Sequence, residues 1–136
     1  MSSISAIALS GLNAASRSLQ VSASNVANAQ TTGALANADG SVPAGAPRAY
    51  APLALVQTES AGGGVQTSVT TVKPSTTAVF DPQASFANND GLVAAPNVDL
   101  AQEFVGQLLA SYSFAANVAV LKANDQNTKA LIDITA

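Results

Sequence analysis

The chain has 136 residues, with five Lys or Arg, eight Asp or Glu, and no His, Cys or Trp. Without His or Cys there is no Ser-His-Asp or Cys-His nucleophile system, no thiolate chemistry and no His/Cys zinc site. A net charge of −3 with only five basic residues argues against a phosphate-binding surface, and so against nucleic acid.

Charged residues make up 10% of positions, where a small soluble domain carries about 25%. The chain also holds 29 alanines, which favour helix but add little side chain to a core. Such a composition fits a protein whose surface is largely covered by other subunits. With no Cys there is no disulfide framework to report on the compartment.

Residues 3–29 read as one helix without Pro. Leu9, Leu12, Ser16, Leu19, Ala23 and Val26 recur at alternating steps of three and four, the seam of a coiled coil. Arg17 is the only charge before Asp39, so the opposite face lacks the paired charges of a solvated helix. Thr31-Thr32-Gly33 reads as the stop, with Gly33 able to take a left-handed conformation.

Residues 34–96 differ. They hold all six prolines and most glycines, with turn signals at Asp39-Gly40 and Asp90-Gly91. Alternation over residues 65–71 predicts a strand. Residues 51–58 are its partner, joined through residues 59–64 as a hairpin, and Pro52 marks the first strand as an edge. Large apolar residues are too sparse for an independent core, and the flanks read as segments that order on binding.

Residues 99–133 read as a longer helix, capped by Asp99 with Gln102 in the capping-box position. Residues 104–121 carry no charge. Val105, Leu108, Tyr112, Ala115 and Ala119 form one seam, and a second seam runs beside it through Leu109 and Ala116. A helix apolar on several sides is buried on several sides. Asp125, Lys129 and Asp133 then form a charged ladder at the far end. The fold class is α+β: long N- and C-terminal helices in an antiparallel coiled-coil-like layer, with a small β-hairpin-rich middle. The divisions fall at 1–33, 34–96 and 97–136.

Other chemistries have weaker support. Residues 104–121 have the length of a membrane span, but Gln107, Ser111, Ser113 and Asn117 interrupt it and no basic cluster flanks it. The N-terminal stretch lacks the basic n-region of a cleaved signal peptide. Gly62-Gly63-Gly64 has no Lys-Ser/Thr ending and reads as a hairpin loop rather than a phosphate cradle. Asp39, Asp81, Asp90 and Asp99 have no EF-hand spacing and read as turn and cap residues, not metal ligands. Asp99 and Glu103 share a helix face and could imitate an acid/base pair, as in a glycan hydrolase, although capping and dipole compensation explain them more simply. Asn25 and Asn28 allow two readings: local bonding to the backbone, which spacing alone favours, or amides that fix register between subunits. No cofactor is expected.

Two motif regions carry a resemblance. Residues 8–15 (ALSGLNAA), with Leu19-Gln20-Val21 and residues 24–33 (SNVANAQTTG), resemble the N-terminal signature of bacterial flagellar basal-body rod and hook proteins. Residues 96–103 (PNVDLAQE), then Tyr112, Ala116-Asn117-Val118 and Leu131-Ile132-Asp133-Ile134, resemble that family's C-terminal helix. Phe80-Asp81-Pro82 and residues 89–93 are similar to the middle of the proximal rod members, and there is no room for the inserted β domain of hook and distal-rod relatives. The resemblance implies a structural subunit of a helical drive shaft crossing the periplasm, in the proximal rod or, alternatively, at another rod or rod-hook junction position of the same family, and not an enzyme. It implies export through the flagellar type III apparatus without a cleaved signal. The implied partners are copies of the chain, other rod proteins and the adaptor to the membrane-embedded MS ring, with no nucleic acid or small-molecule substrate. The expected packing residues are Leu9, Leu12, Leu19, Asn25, Val26, Asn28, Phe104, Val105, Leu108, Tyr112, Asn117 and Val118.

Overall fold

A computed structural model of the chain describes residues 4–37 and 39–135. Its elements run α1 (Ile4–Ala27), β1 (Leu53–Glu59), β2 (Val65–Thr71), β3 (Thr76–Phe80), β4 (Leu92–Pro96) and α2 (Leu100–Thr135). The class is α+β, with two long helices and two small strand pairs.

Local chemistry supports both helices. No Pro interrupts either one. The Asp99 carboxylate accepts the backbone N–H groups of Ala101 at 2.9 Å and Gln102 at 3.1 Å, which satisfies two otherwise orphaned donors at the start of α2. Near its end, Lys129 Nζ lies 2.8 Å from Asp125 one turn earlier, an exposed pair that holds the ammonium pKa above its ordinary value. Leu100–Ile134 is long and apolar enough to cross a bilayer by length and composition; its most apolar stretch of 18 residues has a mean hydropathy of 1.5 and is little buried.

The contacts form two units. The first comprises Met1–Val21, Leu55–Val69 and Phe104–Ala136. Within it α1 and α2 run antiparallel, because Ser5 meets Asn124 and Gly11 meets Asn117. Ala8, Ala14, Ala15 and Ala110 are buried there. The Ser10 hydroxyl donates to the Ile7 carbonyl at 2.7 Å and accepts the Val65 N–H at 3.0 Å, tying the β1–β2 hairpin to α1. Gly64 has φ +90°, and a Cβ there would collide with the Ser10 hydroxyl, so the loop needs glycine for both conformation and space.

The second unit comprises Ser22–Ala54 and Thr70–Glu103. β3 pairs antiparallel with β4, from Thr76 opposite Pro96 to Phe80 opposite Leu92. Gly33 adds a bridge to Ala94, exchanging backbone bonds of 2.9 and 3.0 Å. Val93, Ala94 and Ala34 are buried around that bridge.

Several expectations change. Residues 76–96, read from the sequence as a flank of the first hairpin, contain the β3–β4 pair. This middle region also has a small buried centre, formed by short side chains and backbone bridges rather than large apolar groups. Pro52 lies just before β1, fully buried, and its carbonyl accepts the Val72 N–H at 2.8 Å. Gly33 is not left-handed. A Cβ on it would run into the backbone of Arg48 and Ala49 and lie 2.6 Å from the Pro47 carbonyl, so glycine is required by close approach of two chains.

The helix contact also lies one position round from the leucine seam. Ala8, Ala15 and Ser22 are buried at seven-residue intervals on α1, whereas Leu9 is exposed and Leu12, Leu19 and Val26 are half-buried. Small residues line the contact because two helix backbones come closest where side chains are shortest.

Candidate subunit interface

An exposed apolar face and a buried polar anchor stand out, and they lie on different residues. The face belongs to α2. Leu100, Phe104, Val105, Leu108, Leu109 and Tyr112 recur at helical spacing and are all exposed, Tyr112 at 66%. Two polar side chains near it bond within the helix. Ser111 donates to the Gln107 carbonyl at 2.9 Å, and Asn117 donates to the Ser113 carbonyl at 2.8 Å. Asn117 and Val118 are half-buried.

The anchor is Asn25, 2% exposed in the second unit. Its Nδ2 donates to the Leu53 carbonyl at 2.8 Å and to Glu103 Oε1 at 2.6 Å. Its Oδ1 accepts the Leu53 N–H at 2.9 Å and the Tyr50 hydroxyl at 3.0 Å. Both donors and both acceptor sites of the amide are used. Ser24 extends the network to the Tyr50 oxygen at 3.0 Å. One side chain thus joins the end of α1, the start of β1 and the start of α2. Asn28 does less: it donates to the Ser24 carbonyl at 2.9 Å, one turn back.

The Asn25 result departs from the local reading of that residue. The amide bonds no backbone group of its own helix; it fixes three segments of its own chain. Tyr50 and Glu103 belong to the same network, and periodicity alone could not indicate them. Glu103 holds the Asn25 amide while Asp99 caps α2, so each carboxylate has a structural duty. Among the described residues no cluster of three His, Cys, Asp or Glu comes together to hold a metal.

The first unit contains an open groove of about 270 Å³ lined by residues that include Ile7, Gly11, Ala14, Val65 and Asn117. The second contains one of about 290 Å³ beside Arg48 and Ala94. Both are shallow openings lined mainly by small or uncharged side chains, and neither gathers groups suited to acid, base or nucleophilic chemistry.

Comparison with known proteins sets these surfaces in a family. Residues 6–34 match the family described as Flagella basal body rod protein, and residues 89–134 match that described as Flagellar basal body rod FlgEFG protein C-terminal. The flagellar basal-body rod protein FlgC of Salmonella typhimurium is 35% identical over 115 residues, spanning 85% of this chain and 83% of that protein. The FlgC of Yersinia enterocolitica is 36% identical over the same shares. That of Buchnera aphidicola is 39% identical over 61 residues, covering 44% of this chain and 45% of that protein.

Proposed function

The chain belongs to the flagellar basal-body rod protein family, and from that premise we propose that it is a structural subunit of the proximal rod, most like the C-type rod protein. Its task is to transmit torque as one element of a multi-subunit shaft. The observation that carries this reading is the 35% identity across 85% of the chain. The uncharged, exposed face of α2 supports it physically. At about 25 cal/mol per Å² of apolar surface, burying that face between neighbours stabilises an assembly more than it can stabilise a lone chain.

In this reading Phe104, Val105, Leu108 and Tyr112 pack against copies of the chain and other rod proteins, with Leu9, Leu12, Leu19 and Val26 contributing from α1. The adaptor to the MS ring is a further neighbour. The subunit reaches the periplasm through the type III export apparatus without a cleaved signal. Leu108→Asp tests the packing: the variant should be exported yet absent from purified basal bodies, leaving cells non-motile. Normal motility with the variant in the rod would overturn it.

A second reading, a membrane-anchored helix, draws on the length and hydropathy of α2. Carbonate extraction separates the two. Retention in the membrane of cells without any rod favours the anchor, and release favours the rod subunit.

A further inference from the structure

β3 is the open edge of its sheet. Ala94 on β4 exchanges both backbone bonds with Gly33, so its N–H and carbonyl turn away from β3. Successive pairs alternate in an antiparallel ladder. Ala78, opposite Ala94, therefore turns its own N–H and carbonyl outward, and so do Thr76 and Phe80. The residues between them bond inward, a pattern that continues past both strand ends: Asn97 N–H donates to the Ser75 carbonyl at 3.0 Å and Asp81 N–H to the Gly91 carbonyl at 2.9 Å. Among the described residues no bond outside the strand pair engages the backbone of Thr76, Ala78 or Phe80.

Nothing within the strand discourages a further partner. Exposed edges are usually blunted by a charge, a Pro or a bulge. Thr76–Phe80 reads TTAVF, pairs with β4 without a break, and is exposed from Thr77 onward. Its backbone is already held straight by β4, so little entropy is lost when another strand joins it.

The charges at its two ends select the partner. Lys73 lies just before β3 and Asp81 directly after it; both are exposed, and among the described residues neither makes an ion pair. Arg48 lines a groove together with Ser75 and Thr76, at the Lys73 end. Asp90 precedes Gly91, whose carbonyl holds the Asp81 N–H, at the other end. The remaining acids of this unit are engaged: Asp39 by Ser41, Asp99 by the N–H groups of Ala101 and Gln102, and Glu103 by Asn25. The strand therefore offers free cations at its start and free anions at its end. Parallel pairing of two such strands sets like charges side by side. Antiparallel pairing sets each end against its opposite, and a copy of the same strand does so at both ends.

We propose that β3 pairs antiparallel with β3 of a second copy, Thr76 facing Ala78 of the partner subunit and Thr77 facing Thr77 of the partner subunit. This register lets the outward N–H and carbonyl groups meet and brings Lys73 toward Asp81 of the partner subunit at both ends. The order becomes β4–β3–β3–β4 about a two-fold axis. Such a contact closes with two copies, whereas the contacts of a shaft propagate. The pair is thus a form of the free subunit, distinct from the packing proposed for α2, and it covers the sticky edge outside an assembly. Two short strands bury little area, so the dimer is weak and reversible.

Sedimentation velocity of the purified full chain, in a series rising to about 1 mM, should show a monomer–dimer equilibrium. Ala78→Pro removes an outward N–H that β4 does not use, and Ala78→Lys puts a charge on the edge without touching the backbone. Each should lower the association constant about tenfold, with far-ultraviolet circular dichroism verifying the fold. Lys73→Glu and Asp81→Lys should each lower it about tenfold, and the two together should restore most of it. Leu108→Asp, on α2, should leave it unchanged. The chain has no cysteine, and Thr77 falls at a close, non-hydrogen-bonded pair across the two-fold axis. Thr77→Cys should therefore oxidise to a covalent dimer, while Thr58→Cys, exposed on β1, should not. A chain that stays monomeric throughout, a dimer indifferent to both Ala78 variants, a charge swap that fails to restore, loss of the dimer in Leu108→Asp, or equal oxidation of the two cysteine variants overturns the pairing.

Discussion

Gly11 and Asn117 meet across the contact of the two long helices: a Cβ on Gly11 would lie 2.5–2.7 Å from three atoms of the Asn117 amide group. The amide is itself held by the Ser113 carbonyl at 2.8 Å. Space at this crossing is therefore shared between a residue without a side chain and one with a tethered one.

Gly11→Ala should change stability by only about 1 kcal/mol, since gained helix propensity offsets displacement of the Asn117 amide. Combined with Asn117→Ala, the new methyl should fill the vacated space, giving a coupling of about 1 kcal/mol in a double-mutant cycle. Gly11→Leu should cost about 3 kcal/mol. Urea titration of the purified chain measures all of these, and strict additivity of the Ala pair would contradict the account.

Asn25→Ala should destabilise the second unit by about 3 kcal/mol, because it strips partners from the backbone of Leu53, the Tyr50 hydroxyl and the Glu103 carboxylate. Asn28→Ala loses chiefly one bond within its own helix and should cost about 0.5 kcal/mol. Hydrogen exchange at Leu53 distinguishes them: its amide should lose protection in the first variant and keep it in the second.

Gly33→Ala should cost about 3 kcal/mol or more, since the obstructing atoms are backbone and have little freedom to yield. The loss should appear as weakened protection of the Ala94 amide, whose partner is the Gly33 carbonyl. Gly106→Ala, where nothing lies within 4 Å of the added carbon, should instead stabilise α2 by about 1 kcal/mol.

The turn at Asp39 should be pH-dependent. The Ser41 hydroxyl, and then its backbone N–H, bond the Asp39 carboxylate and hold its pKa below the ordinary value. A lowered pKa means the bonds support the turn fully above the ordinary Asp range. That support fades as pH falls through the depressed value. A carboxyl titration by NMR should show Asp39 ionised at lower pH than a model Asp, and Ser41→Ala should move it upward.

Much of the architecture was legible along the chain because it depends on local chemistry. Proline-free, alanine-rich ends favour helix, the Asp99 carboxylate caps α2, and alternation over residues 65–71 marks β2. The pair β3–β4 was not legible. Its residues Thr76–Phe80 and Leu92–Pro96 show no simple alternation, and one strand ends in Pro. They meet only in the folded chain, where Thr76 comes to lie opposite Pro96 and Phe80 opposite Leu92, with Gly33 bridging to Ala94 on β4.

Sequence by itself determined the helices, the first hairpin, the absence of His and Cys chemistry, and the motifs that mark the family. Tertiary structure alone decided which helix stripe turns inward. Periodicity reports that a face is apolar, not what approaches it; here Ala8, Ala15 and Ser22 turn inward and Leu9, Leu108 and Tyr112 face out. It also decided that Asn25 binds Leu53, Tyr50 and Glu103, because hydrogen bonds between residues distant in sequence arise only when the fold brings them together.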